Sequence, residues 1–186
     1  MQFVIEHLEP RLSDWLFMEY SSAAEIAGKD LLITNVQRAS DYRRLSRITR
    51  VEKRSARELF RPEEIVVLDP RARRALSPED LREKAAILIG GILGNDPPLG
   101  RTRELLVKKL PRAMVRHIGR HQFAIDGSVY VARQVSQGRR LEEIPVLVEL
   151  EIPLAQGCSV ILPYAFPLVK GRPLISRDLI EYLKRH

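Results

Sequence analysis

The stretch from Ala85 to Thr102, A-A-I-L-I-G-G-I-L-G-N-D-P-P-L-G-R-T, decides the fold of this chain. Ala85, Ala86, Ile87, Leu88 and Ile89 form a short unbroken apolar run, the pattern of a strand covered on both faces in a parallel sheet. Gly90, Gly91 and Gly94 follow, then Pro97, Pro98 and Gly100. Glycines let a backbone bend sharply and approach a ligand closely. The two prolines stop the run from continuing as strand or helix, and Arg101 to Leu106 then reads as the start of a helix. A glycine-lined loop at the carboxyl end of a buried strand is where an open α/β sheet places its ligand. The same residues also suit a plain turn between strand and helix. A P-loop is excluded because no Gly-Lys-Ser/Thr ends the stretch, and Pro97-Pro98 interrupts the strand-turn-helix of a dinucleotide fingerprint.

Outward from this stretch the chain keeps an α/β rhythm. Residues 1–8 read as a strand and residues 11–27 as a helix, capped by Ser13 or Asp14 and ended by Gly28. A second strand over 31–36 gives the spacing of a right-handed parallel crossover. Residues 41–61 read as one long amphipathic helix. Its Arg43, Arg47, Arg50, Arg54, Arg57 and Arg61 recur at steps of four and three and line one face. That face is either a solvated surface or one that docks RNA or a ribosomal particle. Ile65 to Leu68 is a buried strand ending at Asp69-Pro70, and Ser77-Pro78-Glu79-Asp80 starts a short helix. Beyond the glycine loop a helix is expected over 102–110 and a short strand at Val115. A helix follows over 126–137 with Asp126 as cap, then a strand over 144–152, an extended proline-rich run over 161–169, and a terminal helix over 176–184. There are no internal repeats and no linker, so residues 1–186 read as one α/β domain.

The chain's size supports a real hydrophobic core. Its 45% hydrophobic and 30% charged residues are those of a globular protein. No apolar run reaches the length of a membrane span, and Glu6, His7 and Glu9 break any leader-like region, so a cytoplasmic protein is expected. The single cysteine, Cys158, excludes an internal disulfide; its apolar neighbours suggest a buried structural thiol. The net charge of +7 favours acidic or phosphate-rich partners such as ribosomal RNA. Abundant charge, few asparagines and twelve prolines suit a thermophile, an archaeal one among them.

Gly90-Gly91-Ile92-Leu93-Gly94-x-x-Pro97-Pro98-x-x-Arg101-Thr102 resembles the signature of the predicted SAM-dependent RNA methyltransferase family of the SPOUT superfamily. The yeast member of that family is a protein arginine methyltransferase acting on a small-subunit ribosomal protein. Phe3 to Glu9, Glu19-Tyr20-Ser21, Val67 to Pro70, Arg116 to Gly119 with Gln122 and Asp126, and Leu162-Pro163-Tyr164 resemble further blocks of the family. The match weakens between about Gln37 and Arg61, where the arginine stripe lies. The resemblance implies a SPOUT α/β knot: a mostly parallel sheet with helices on both faces and a carboxyl-terminal trefoil knot.

It also implies S-adenosylmethionine as cofactor, held by Gly90, Gly91, Ile92, Leu93 and Gly94 in one loop. His117, Ile118, Gly119, Gln122 and Asp126 would form the second. Glycines allow close backbone approach to adenine, and Ile92, Leu93 and Ile118 offer apolar walls. An arginine placed at position 91 is expected to fill this cleft. Methyl transfer requires the acceptor held behind the methyl group and a carboxylate to take a proton or grip a guanidinium. Glu6, Asp69, Asp96 and Asp126 are the candidates. Asp69 is equally a turn residue before Pro70 and Asp126 a helix cap, while Glu6 inside a strand needs a partner. Asp96 stands where a histidine is expected and Asn95 where an aspartate is, so a one-place shift of role is open. Arg101 is either a surface residue or an anchor for a phosphate or carboxylate. His7, His117 and His121 lack metal-ligand spacing, and no metal is expected.

The acceptor is expected to be an arginine of a ribosomal protein, or RNA. The alternative is a non-catalytic RNA- or ribosome-binding module on the same scaffold. Both a monomer and a homodimer remain open.

Overall fold

The computed structural model describes residues 1–94, 97, 99–154 and 157–185. In chain order the elements are β1 (Gln2–His7), α1 (Asp14–Ala27), β2 (Leu31–Thr34), α2 (Ala39–Leu45), β3 (Arg50–Val51), α3 (Ala56–Leu59), β4 (Ile65–Leu68) and β5 (Ala86–Gly91). They continue with α4 (Arg101–Leu105), β6 (Met114–Arg116), α5 (Ile125–Ser136), β7 (Val146–Pro153), β8 (Ser159–Val169), β9 (Arg172–Pro173) and α6 (Arg177–Arg185). Six strands form one parallel sheet in the order β3-β2-β1-β5-β4-β6, and the other three form an antiparallel sheet β7-β8-β9. No helix among the described residues is long and apolar enough to cross a membrane.

The apolar run that opens the glycine stretch is β5, next to the middle of the sheet. It pairs with β1 from Gln2↔Ala86 to His7↔Gly91 and with β4 from Ile65↔Ala86 to Val67↔Leu88. Strand periodicity sends alternate residues to opposite faces. Phe3, Ile5, Val66, Leu68, Ile87 and Ile89 pack under α1 and α5 with Leu16, Tyr20 and Val129. On the other face Val4, Ile65, Val67, Ala86 and Leu88 meet Ala56, Leu106 and Leu110. Helices therefore cover both faces, as a strand buried on each side requires. Ser13 caps α1 by accepting the Leu16 N–H, and Gly28 ends it at φ 58°.

Four expectations need correction. Residues 41–61 do not form one helix. After α2 the chain turns, and Arg50 and Val51 pair with Leu32 and Ile33 as the edge strand β3. The pairing runs on through Glu52, whose N–H reaches the Ile33 carbonyl at 2.8 Å, and Arg54, whose carbonyl takes the Asn35 N–H at 3.0 Å. An open sheet edge outcompetes helical spacing here, and the six arginines share no helical face. Second, Asp126 does not cap α5: Ala124 occupies that position and Asp126 lies inside the first turn. Third, Cys158 is exposed, because the strand it precedes forms the outlying sheet rather than the core. The helix expected over 102–110 is shorter, and only a 3-10 turn at Val107–Lys109 follows α4.

Candidate active site

The carboxyl ends of β4 and β5 and the loop after β6 converge on one cavity of about 370 Å³. The chemistry at its wall starts with Asp69, the first residue beyond β4. It is buried to 2% exposure. Its Oδ1 accepts the Arg71 N–H at 2.9 Å, while Oδ2 is the one buried side-chain polar atom without a partner among the described residues. An unpaired buried carboxylate oxygen costs about 1–3 kcal/mol or more, so its persistence at a cavity wall marks a group reserved for something else.

The glycine loop forms the next wall through Gly90, Ile92, Leu93 and Gly94. Glu9, just past β1, pins it from behind: one Oε1 accepts both the Leu93 N–H at 3.1 Å and the Arg101 guanidinium at 2.8 Å. Arg101 opens α4 and also lines the cavity, as do Arg71 and Arg120. Gly100 sits at φ 69°, in the left-handed region that favours glycine, with the Arg71 guanidinium packed against it. From the second sheet Tyr164 donates to the Gly94 carbonyl at 3.3 Å. The third wall is Ile118, Gln122, Phe123 and Ile125. Leu68, Ile89, Ile92, Leu93 and Leu99 add apolar surface to walls that also carry Asp69, three arginines, His121 and Gln122, the make-up of a site for a ligand that is part apolar and part charged.

Of the residues expected at the site, Asp69, Gly90, Ile92, Leu93, Gly94, Arg101, Ile118 and Gln122 thus share one cavity. The others lie elsewhere. Glu6 is consumed by structure: it accepts from the Thr34 and Ser55 hydroxyls and, at 2.9 Å, from the Ala56 N–H. Gly91 faces α1, not the cavity, and a Cβ there would stand 2.1 Å from the Tyr20 hydroxyl. An arginine at 91 would therefore break the packing under α1 rather than fill the cleft.

Asp126 is buried in the seam between α1 and α5, with Oδ1 accepting the Gly127 N–H at 2.8 Å. Glu19 shares that seam, accepting from the Trp15 indole at 2.7 Å and from the Ile125 N–H at 2.9 Å. Burial, reinforced by the charge of Asp126, pushes Glu19 up to about 7, and burial pushes Asp126 up to about 6. His117 bridges in parallel to Ala75, and its Nδ1 accepts the Gly119 N–H at 3.3 Å. Burial and the Arg120 charge push its imidazole down, so it is neutral at pH 7 and suited to that acceptor role. Gly119 lines a neighbouring groove instead of the cavity. Asp96 and Asn95 lie outside the described residues.

Sequence reasoning missed Glu9, Arg71 and Tyr164. Glu9 closes the first strand block, Arg71 follows Asp69-Pro70, and Tyr164 lies in the Leu162-Pro163-Tyr164 block. Each stands in or beside a motif, but nothing local distinguishes a residue that pins a loop from one that decorates it.

Comparison with known proteins finds relatives over the whole chain. The model of a family described as protein arginine N-methyltransferase SFM1-like matches residues 2–186. Protein arginine N-methyltransferase SFM1 of Saccharomyces cerevisiae is 25% identical, over 100% of this chain and 95% of its own length. The crystal structure of the yeast arginine methyltransferase SFM1 complexed with SAM superposes with a TM-score of 0.90 at 25% identity, covering 99% of this chain and 90% of that one. The dual specific Trm10 from Thermococcus kodakaraensis shares the fold, with a TM-score of 0.57 at 16% identity over 77% of this chain and 96% of that one.

Proposed function

The chain belongs to the SFM1-like protein arginine N-methyltransferase family, and from that premise we propose that it methylates an arginine side chain of a ribosomal protein in the cytoplasm, using S-adenosylmethionine. The observation that carries the site assignment is Asp69: a buried carboxylate with a free oxygen on the wall of the glycine-loop cavity. The residues present fit the cofactor, since apolar side chains suit adenine and the close backbone at Gly90 and Gly94 suits its polar edge. When bound, S-adenosylmethionine supplies a methyl group on a positively charged sulfur; the carbon–sulfur bond breaks as the nitrogen–carbon bond forms.

The chain's own part is to hold and to deprotonate. Asp69 grips the acceptor guanidinium by charge-assisted hydrogen bonds and fixes which nitrogen faces the methyl group. The methylated nitrogen sheds one proton, and Oδ2 of Asp69 takes it. Glu9 fixes Arg101, whose remaining N–H groups are offered to a carboxylate at the loop. The side chains of Ile118, Phe123 and Ile125 limit the water that reaches the reacting atoms. The arginine stripe that would have docked an RNA acceptor does not form, which favours protein over RNA.

The test is transfer of labelled methyl from S-adenosylmethionine to ribosomal subunits stripped of existing modification. Label that resists nuclease and yields to protease is the expected result. Label that yields to nuclease alone would sink the protein acceptor, and no label in either fraction would sink the ribosomal one.

A further inference from the structure

A groove of about 1090 Å³ adjoins the cavity and shares Ile118, His121 and Phe123 with it. Its far side is Leu76, Pro78 and Leu141 together with Val146 and Val148 of β7. Both valines are exposed, at 37% and 46%. We propose that this groove and the outer edge of β7 hold the acceptor protein as an extended basic segment, presenting its arginine to the cavity; this rests on the methyl-transfer reading above.

Three observations converge on it. The first is hydrogen bonding. β7 is an end strand of its sheet. The Ala165 N–H is taken by the Gln122 carbonyl at 2.7 Å, on the side of β8 away from β7. Ala165 and its partner Val148 are therefore a pair that exchanges no hydrogen bonds, and Val148 turns its own N–H and C=O to the open edge. An extended segment adds to such an edge by main-chain bonds while alternate side chains enter the groove. The register shift after Val148 keeps that run short.

The second is charge. The chain carries +7 overall, yet residues 141–154 hold Glu142, Glu143, Glu149 and Glu151 and no lysine or arginine. All four are exposed. Glu79 and Glu142 line the groove with Arg140 and His121, and Glu79 also has Arg82 beside it at 4.0 Å. This acidic edge selects a basic segment and repels both RNA phosphates and the same edge of a second copy. The third is continuity: the wall shared by groove and cavity leads from the docked segment into the cavity that Asp69 lines, so binding along β7 is spent on orienting the arginine.

The test uses the full chain and a short fluorescein-labelled peptide with a central arginine flanked by lysines and valines, read by anisotropy. Two variants are compared: Glu142→Lys with Glu149→Lys and Glu151→Lys, and Val148→Pro, which removes the outward N–H, trims one apolar side chain of the groove and is tolerated on an edge strand. The triple variant should weaken the peptide by about tenfold or more, and Val148→Pro by about fivefold. S-adenosylmethionine affinity by calorimetry should stay within about twofold of wild type in both, since neither variant touches the cavity. Failure of the wild-type chain to bind the peptide, equal binding of an acidic peptide, or unchanged binding by both variants would overturn the groove. So would self-association lost in the variants without any change in peptide binding. If the wild type transfers methyl to a protein arginine with a KM that neither variant moves, the groove fails and the activity stands. If groove-dependent binding is seen but no arginine acceptor is ever methylated, the activity fails and the groove stands.

Discussion

Glu6 and Asp69 are both buried carboxylates near the carboxyl ends of the two strands that flank β5, and the local sequence offers the same prospects to each. Their partners separate them. Glu6 accepts from two hydroxyls and an N–H, so its charge is spent on tying α3 to β1. Asp69 keeps one oxygen unpartnered at the cavity. Asp69→Asn preserves the acceptor for the Arg71 N–H and should leave the melting temperature unchanged. It should lower kcat by roughly 10²–10⁴-fold, with S-adenosylmethionine affinity nearly constant; steady-state kinetics with calorimetry would show it, and an unchanged kcat would remove Asp69 from the mechanism. Gly91 makes a different kind of prediction. A methyl group there meets the Tyr20 hydroxyl and, at 2.8 Å, the Glu6 carbonyl. Tyr20 is fully buried and bonded to His7 at 3.1 Å, so it cannot swing away. Gly91→Ala should therefore cost roughly 3 kcal/mol of stability, measured by urea unfolding, with folded enzyme still binding S-adenosylmethionine normally.

Between α1 and α5 the buried pair Glu19 and Asp126 makes an element-scale statement. Both carboxyls titrate above their ordinary range in the folded chain, Glu19 first through burial and then through the charge of Asp126. The native state then binds more protons than the unfolded one between about pH 4 and 7, so stability is full below that window and falls as pH rises through it. Asp126→Asn keeps an acceptor for the Gly127 N–H and removes the repelling charge. Unfolding free energies measured at pH 5 and 8 should differ by roughly 2 kcal/mol less in the variant than in wild type. A slope that stays the same would show that the pair does not titrate in this way. The other lesson at this scale is β3. Arginines spaced by three and four make a persuasive helix on paper. The open edge of β2, with N–H and C=O groups to satisfy, takes Arg50 and Val51 as a strand that runs on to Arg54, and so separates Arg43 in α2 from Arg57 in α3.

At the scale of the molecule, the cavity wall is assembled from residues between Leu68 and Ser128, pinned by Glu9 from the amino end and Tyr164 from the carboxyl end. A ligand that bridges these segments should stabilise the whole chain. At free S-adenosylmethionine roughly 100-fold above its Kd the gain is about 2.7 kcal/mol, a melting shift of roughly 5–10 °C for a chain of this size; no shift by calorimetry would remove the cavity as the cofactor site. The sequence by itself determined the α/β class, the buried strand at Ala86–Gly91, the glycine loop and the candidacy of Asp69 and Arg101, because apolar runs, glycines and prolines constrain the backbone locally. Only the tertiary structure decided that Asp69 is left unpartnered while Glu6 is consumed, that Gly91 faces Tyr20 and that Asp126 packs against α1. It also decided that an edge strand at Arg50 and Val51 interrupts the arginine stripe. Each depends on a partner distant in sequence, and a hydrogen bond or a steric wall exists only once folding brings that partner within reach.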